Sequence, residues 1–316
     1  MEGCVPLTTD LGGGVHAVDT AMHGYAGITA GYLIASERPC LVETGTARSA
    51  PTVIEALAAL GVDAADLATV VVTHIHLDHA GGVGDLAAHF PNAEVVVHER
   101  GARHLVDPER LMRSARMVYG SALDDLFGPL LPTEQERVRV LGERGSIDLG
   151  RGRRLDSYYS PGHAQHHVGL LDSHTGDLYV GDAAGIYVPD ADVLRPGTPP
   201  PDFNLDLALD SLDTFASLAP NRLLFSHFGP VDDPLVNLER AREEMRLWVE
   251  LVRESRADGL DLDHAVAMVR ERTRERYAAF LADPELEAKF EELNATATNI
   301  VGINRWLDSL EPDAQP

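Results

Sequence analysis

Residues 69–82 restrict what this chain can fold into more than any other stretch. The β-branched run from Thr69 to Thr73 reads as a strand buried on both faces. It ends directly in His74, His76, Asp78 and His79, four metal-binding side-chain types within six residues. A helix would send positions two apart to different sides, and a strand would gather 74, 76 and 78 on one face while turning 79 away. The segment therefore works as a metal-binding unit only as a bent loop leaving a strand, with Gly81 and Gly82 expected to permit the bend. In that form His74 and His76 grip one cation while Asp78 and His79 turn to a second. Hydrolytic two-metal sites hold their ions about 3.5–4 Å apart, a separation such a short loop can serve.

Three further donors each follow a strand-like run: His163 in Ser-Pro-Gly-His, Asp182 in Tyr-Val-Gly-Asp and His227 in Leu-Leu-Phe-Ser-His. With His-x-His-x-Asp-His ahead of them, in this order, they resemble the metallo-β-lactamase superfamily over roughly residues 10–230. The resemblance implies an α/β fold, a four-layer αββα sandwich, here with a C-terminal helical extension. It implies a first metal site of His74, His76, His163 and Asp182, and a second of Asp78, His79, His227 and the shared Asp182. Two divalent ions follow, zinc first, with manganese or iron as alternatives suited to the same donors.

The implied activity is that of a binuclear hydrolase, in which a hydroxide formed on the cations attacks a small ester, thioester or lactone. Asp78 is a candidate proton carrier. Rival readings are a mononuclear iron enzyme like the superfamily's persulfide dioxygenases, a phosphodiesterase of the same fold, and a non-catalytic metal-binding module. The complete second set, Asp78, His79 and His227, favours hydrolysis. Lactonases of the family carry a Tyr three residues after the bridging Asp. Here that position is Gly185, and Tyr187 lies five after, so Tyr187 is a candidate for substrate contact, as is His167. His166 and His167 in Pro-Gly-His-Ala-Gln-His-His can each bond a ligand or substrate, or position the turn. Glu43 in Glu-Thr-Gly-Thr stands where the family's Asp-x-Gly turn carries an acid that orients a metal-bound histidine.

The chain has 50 acidic and 26 basic residues, a formal charge of −24. A surface that negative repels nucleic acid, whose binding rests on neutralised phosphates, and acidic membranes likewise. Charge near two cations differs from charge at the surface, so a small anionic substrate stays open. No apolar run reaches the ~18–20 residues of a membrane span and no secretory pattern opens the chain, which makes the cytoplasm the expected location. Cys4 and Cys40 form no disulfide framework and read as ordinary thiols.

Along the chain, short strands are expected around Gly12–Gly14 and over 28–35 and 40–43. A helix follows over 49–60 with Ser49 as its cap, then one over 82–89 and a strand over 94–98. Residues 99–147 read as an insertion, helical near 108–119, with strand character returning at 150–159; Tyr119, Tyr158 and Tyr159 are candidates to line a pocket. Val168–Asp172 and Asp177–Val180 read as a hairpin, and 185–201 as a stiff Pro-rich loop on the pocket rim. A helix capped by Asn204 and a strand over 222–226 close the catalytic unit, expected to span 1–232. Residues 233–316 read as helices: one opened by Asp233-Pro234, a second over 262–281, a third from Asp283-Pro284 to Leu310. They are expected to pack on the sandwich, with a pocket cap or a homodimer surface as the alternatives.

Overall fold

In the computed structural model, which describes residues 7–311, the central apolar runs are buried on both faces. Along each strand alternate residues part company: Leu41 and Val70 face a layer of helices, whereas Val42 and Val71 face a second sheet. This is why these strands show no polar alternation. The first sheet runs β1 (Thr8–Gly12), β2 (Val15–Asp19), β3 (Ala30–Ile34), β4 (Cys40–Val42), β5 (Thr69–Val71), β6 (Glu94–His98), β7 (Val138–Leu141), in that spatial order. Pairing is antiparallel up to β4 and parallel from β4 to β7.

The second sheet takes β8 (Arg144–Asp148), β9 (Arg154–Tyr159), β10 (Val168–Asp172) and β11 (Asp177–Gly181). After a separate hairpin, β12 (Ile186–Val188) and β13 (Val193–Arg195), it adds β14 (Arg222–Phe225) and β15 (Gly229–Val231). Its one parallel pair is β11 with β14, so Asp182 and His227 emerge side by side at the same end of the sheet. Tyr32 on β3 crosses the core to donate its hydroxyl to the Phe225 carbonyl at 2.5 Å, tying the sheets together two residues before His227.

Helices α1 (Ala50–Ala59), α2 (Leu77–Ala80) and α3 (Val83–His89) follow on the first sheet's side, with α1 and α3 covering its outer face. Next come α4 (Glu99–Val106), α5 (Glu109–Tyr119) and α6 (Leu123–Leu126), then α7 (Leu205–Ser217) against the second sheet. Helices then follow up to Leu310: α8 (Pro234–Ala257), α9 (Leu262–Thr273), α10 (Ala278–Leu281), α11 (Pro284–Leu293) and α12 (Thr296–Leu310). Leu238, Ala241, Met245, Trp248 and Val252 of α8 lie in the same apolar cluster as Leu178 and Leu223 of the second sheet. No helix is long and apolar enough to cross a membrane among the described residues. Cys40 is buried in β4; Cys4 lies outside the described residues.

Several expectations need correction. The stretch 99–147 is not all insertion, because β7 ends the first sheet and β8 begins the second. The Pro-rich loop contains the β12–β13 hairpin. Helix α1 is entered through a tight turn capped by Thr46, whose hydroxyl accepts from the Ser49 amide; Ser49 holds the N-cap position of α1 as expected but makes no capping bond with its side chain. Asp233 does not cap α8 through its side chain; it sits in the left-handed region, with Pro234 first in the helix. The expected helix over 262–281 breaks because buried Tyr277 is drawn inward, its hydroxyl bonded to Glu244 at 2.5 Å and to the Trp248 indole at 2.9 Å. The last helix breaks at Asn294, whose amide oxygen accepts from Asn299 at 2.6 Å.

The C-terminal helices also grip the segment that follows β13. The Asn299 side-chain oxygen accepts from the Thr198 amide at 2.7 Å and its hydroxyl at 2.9 Å, and that hydroxyl also lies 3.1 Å from the Asn299 carbonyl. One turn on, a Cβ on Gly302 would lie 1.9 Å from the Thr198 carbonyl oxygen, so only glycine lets α12 come this close. Gly302→Ala is accordingly expected to lower the unfolding free energy by about 1–3 kcal/mol, as overpacking does. Gly142→Ala, with open space around it, should stay within about 0.5 kcal/mol of the parent. Urea denaturation of the two variants checks this.

Candidate metal centre

The seven donors converge where strands of both sheets end. His74 and His76 leave β5 on an extended segment, after which the chain turns directly into α2, so Asp78 and His79 project from a helical turn. Gly81 and Gly82 are not needed for a left-handed bend as expected. They are needed for closeness: a Cβ on Gly81 would meet the Thr46 Cα and the Ala47 nitrogen at 2.9 Å, and one on Gly82 the Thr44 carbonyl at 3.1 Å. His163 follows β9, Asp182 follows β11 and His227 follows β14.

His74 Nε2 and His163 Nε2 each lie 3.0 Å from His76 Nδ1. Asp182 Oδ2 is 3.7 Å from His163 Nε2 and 3.6 Å from His227 Nε2, and its Oδ1 is 3.5 Å from His79 Nε2. Asp78 Oδ2 stands 3.4 Å from His79 Nε2 and 3.3 Å from His227 Nε2. The donors thus fall into overlapping clusters: His74, His76 and His163; His74, His79 and Asp182; Asp78, His79 and His227. Four ligands around a zinc ion at about 2.0–2.1 Å sit roughly 3.3 Å apart, close to these separations.

The outward ring atoms explain why the inward ones are free to ligate. His163 Nδ1 faces the Gly197 carbonyl at 3.0 Å and His227 Nδ1 faces the Ile28 carbonyl at 2.9 Å. A carbonyl can only accept, so Nδ1 carries the proton and Nε2 turns its lone pair inward. Glu43 takes the corresponding place under His79: Oε1 accepts from the Thr73 amide at 3.1 Å, and Oε2 lies 3.6 Å from His79 Nδ1. The longer Glu therefore reaches the position that an Asp would serve. Asp182 Oδ1 and Glu43 Oε2 are buried without a hydrogen-bond partner. With three imidazole nitrogens converging beside them, this arrangement fits divalent cations.

Burial pulls His74 well below the usual histidine range, with His79 and His76 adding to the effect, and takes His76 down to about 3, helped by His163. Burial lowers His163 too. These three are neutral near pH 7, the state that offers a lone pair. Around Asp78 and Asp182 the balance reverses: burial opposes their charge, but His79 and His227 together outweigh it and hold both carboxyls below their ordinary range. In return, against burial, Asp78 and Asp182 hold His79 well above its usual value, and His227 is raised by Asp182 and Asp78.

The model of the family described as the metallo-beta-lactamase superfamily matches residues 24–227. This chain belongs to that superfamily. Among its relatives, a metallo-beta-lactamase fold-containing protein of Sulfurisphaera tokodaii is 30% identical over 189 residues, 58% of this chain and 70% of that protein. A crystal structure of the archaeal protein has a TM-score of 0.63 over 73% of this chain and 86% of its own. A hydroxyacylglutathione hydrolase of a Synechococcus strain is 29% identical over 42% of this chain and 40% of that protein. A superfamily protein of Thermus thermophilus reaches a TM-score of 0.65 over 96% of this chain and 95% of its own, at 21% identity. That likeness concerns the fold alone, and at such coverage it takes in the C-terminal helices.

Within this superfamily fold the donors open onto a cleft of about 670 Å³, the size of a small-molecule site. Two sequence candidates do not reach it. Fully buried His167 bonds Ser160 Oγ through Nδ1 at 2.8 Å and accepts from the Asp182 amide through Nε2 at 3.2 Å, so it sets the Asp182 turn instead of touching substrate. The Tyr187 hydroxyl donates to Asp192 at 3.2 Å, away from the cleft; only its backbone meets His227. Tyr158 and Tyr159 also lie outside the lining, whereas Tyr119 and His166 belong to it. Burial raises the Tyr119 hydroxyl, and Asp78 adds to it. Sequence reading missed Arg100, Arg103, His104 and Arg110 on α4 and α5, and Phe290, Asn294 and Asn299 on the last helices. The i, i+3 spacing of Arg100 and Arg103 was the available signal for the first group.

Two substitutions that touch no donor should weaken metal binding. Asn299→Ala releases Thr198 and with it the Gly197 carbonyl on His163; Glu43→Gln removes the charge under His79. Each is expected to lower zinc affinity by about 10–100-fold, as read by competition with a chromophoric chelator.

Proposed function

We propose that this chain is a binuclear metal-dependent hydrolase acting on a small ester, thioester or lactone in the cytoplasm. What supports the reading is the place of Asp182, a carboxylate lining the cleft with its oxygens 3.7 Å from His163 Nε2, 3.5 Å from His79 Nε2 and 3.6 Å from His227 Nε2. His74, His76, His163 and Asp182 would hold one ion, and Asp78, His79, His227 and Asp182 the other. Bound divalent cations supply Lewis acidity and bring the pKa of water to about 7. Zinc suits the mixture of imidazole and carboxylate, with manganese or iron as alternatives.

The protein's own groups do the rest. Asp78 lines the cleft and its Oδ2 lies within 3.4 Å of two imidazoles, a carboxylate placed to take a proton from an attacking water and return it to the leaving group. His167 and Glu43 fix the orientation of Asp182 and His79 from behind. Tyr119 borders the space above Asp78, where its hydroxyl, kept protonated, can donate to an oxygen of the substrate.

Relatives named for thioester and lactone hydrolysis support the class: the hydroxyacylglutathione hydrolase above, and an N-acyl homoserine lactonase of Azorhizobium caulinodans, 32% identical over 36% of this chain and 38% of its own. The complete set of Asp78, His79 and His227 argues against a single-iron oxygenase.

Protein purified without chelator should carry about two zinc or manganese ions per chain and hydrolyse members of a thioester and lactone panel. Asp182→Ala should lose both metal and turnover, whereas His89→Ala, at the exposed end of α3, should keep both. One iron per chain with oxygen uptake, or equal behaviour of the two variants, defeats the reading.

A further inference from the structure

One wall of the cleft gathers three arginines in a chain that is acidic overall. In a chain with 50 acidic against 26 basic residues, arginines readily find carboxylates. On α5 itself the outward-facing Arg113 pairs with Glu109, and Arg116 with Asp124. The three arginines that line the cleft, Arg100, Arg103 and Arg110, have no carboxylate within 4.0 Å among the described residues. Glu99 and Asp202 border the same cleft without reaching them. Arg100 donates to the Gln165 side chain at 2.7 Å and Arg103 to His104 Nε2 at 3.1 Å; Arg110 has no hydrogen bond to any described residue.

These groups share one region. Arg103, His104 and Arg110 line the same stretch of the cleft, and His104 is lowered by burial and then by the two arginines, against Asp107. Beside Arg100 on α4, a Cβ on Gly101 would lie 3.6 Å from the His166 Cβ, and the His166 ring centroid is 5.6 Å from that of His76 in the donor cluster. The basic wall therefore begins about one imidazole beyond the metal-facing histidines. Leu111, Ala115 and Val118 of α5 and Phe290 of α11 give the same cleft an apolar side.

We propose that Arg100, Arg103 and Arg110 form an oxyanion-binding subsite, and that the substrate is an ester or thioester carrying a carboxylate, joined by an apolar spacer to the scissile carbonyl. A guanidinium without a protein acid offers planar, paired donors to a carboxylate. This rests on the hydrolase reading. The reaction is ordinary hydrolysis: water oxygen joins the acyl carbon, the acyl–sulfur or acyl–oxygen bond breaks, and the water's second proton leaves with the sulfur or oxygen. The carboxylate belongs either to the acyl chain or to the leaving group, and the two are separable by experiment.

Zinc-loaded protein is assayed with three thioesters: the glutaryl thioester of mercaptoethanol (charged acyl), the butyryl thioester of mercaptopropionate (charged leaving group) and the butyryl thioester of mercaptoethanol (neutral). At least one charged ester should exceed the neutral one in kcat/KM by about tenfold or more, the effect of a charge-assisted hydrogen bond. Which one does so places the carboxylate. The Arg103→Gln/Arg110→Gln double variant, both positions being exposed, should bring that ratio to near unity, and Arg113→Gln on the outer face should keep the parent ratio. A parent ratio of one or below, or an unchanged ratio in the double variant, overturns the proposal.

If no ester is hydrolysed, the hydrolase reading fails, and calorimetry decides the subsite separately. 5-Phenylvalerate should bind the zinc-loaded parent more tightly than 5-phenylpentanol, and the double variant at equal metal content should lose most of that advantage. Equal affinities in the parent, or an unchanged advantage in the variant, overturn the subsite as well.

Discussion

Imidazoles and carboxylates withdrawn from water are costly unless each finds a partner, and the structure is arranged around meeting that condition at one place. Four of the donors that point into the centre, His163, His227, His79 and Asp182, have their backs held. Gly197 and Ile28 present carbonyls, Glu43 a carboxylate, and His167 an imidazole that receives the Asp182 amide. These supports come from both sheets and from loops far apart in the chain. The sandwich serves to bring strand ends together so that the supports coincide. The parallel pairing of β11 with β14 and the Tyr32–Phe225 tie between sheets are the parts of the fold that do this most directly.

What was legible in the residues, and what was not, divides along physical lines. The donors themselves stand out because each ends a run of apolar, often β-branched residues, and because no ordinary core places so many imidazoles at strand ends. Strands β7 and β8 were hidden because they are half-exposed edge strands: Val-Arg-Val-Leu and Arg-Gly-Ser-Ile-Asp bury few side chains and carry little periodic signal. Tyr187 and His167 were misplaced for another reason. Their spacing from a donor is visible, but the direction of a side chain depends on register, and register sends one to Asp192 and the other beneath Asp182. The grip of Asn299 on Thr198 joins residues about a hundred positions apart and has no local signature at all.

Charge tells a similar story at two scales. The net excess of acid describes the chain as a whole and says nothing about the cleft. There helices α4 and α5 bring three arginines to one wall, so a basic patch stands within an acidic protein. Summed composition is a statement about long-range fields, which salt screens within about 8–10 Å; a binding wall is decided at shorter range than that.

Helix α5 has a further consequence. It contains no fully buried residue; Leu111, Met112 and Ala115 only lean on the core, and Met117 and Val118 are 82% and 60% exposed. A segment with so little apolar area to give up can detach at a small fraction of the cost of unfolding the whole domain. The metal-facing side of the cleft rests on buried strands, while the opposite wall rests on this loosely seated helix. Entry and exit of small molecules, and tolerance of differently shaped guests, are therefore expected to depend on that one wall, with the donor-lined floor staying still.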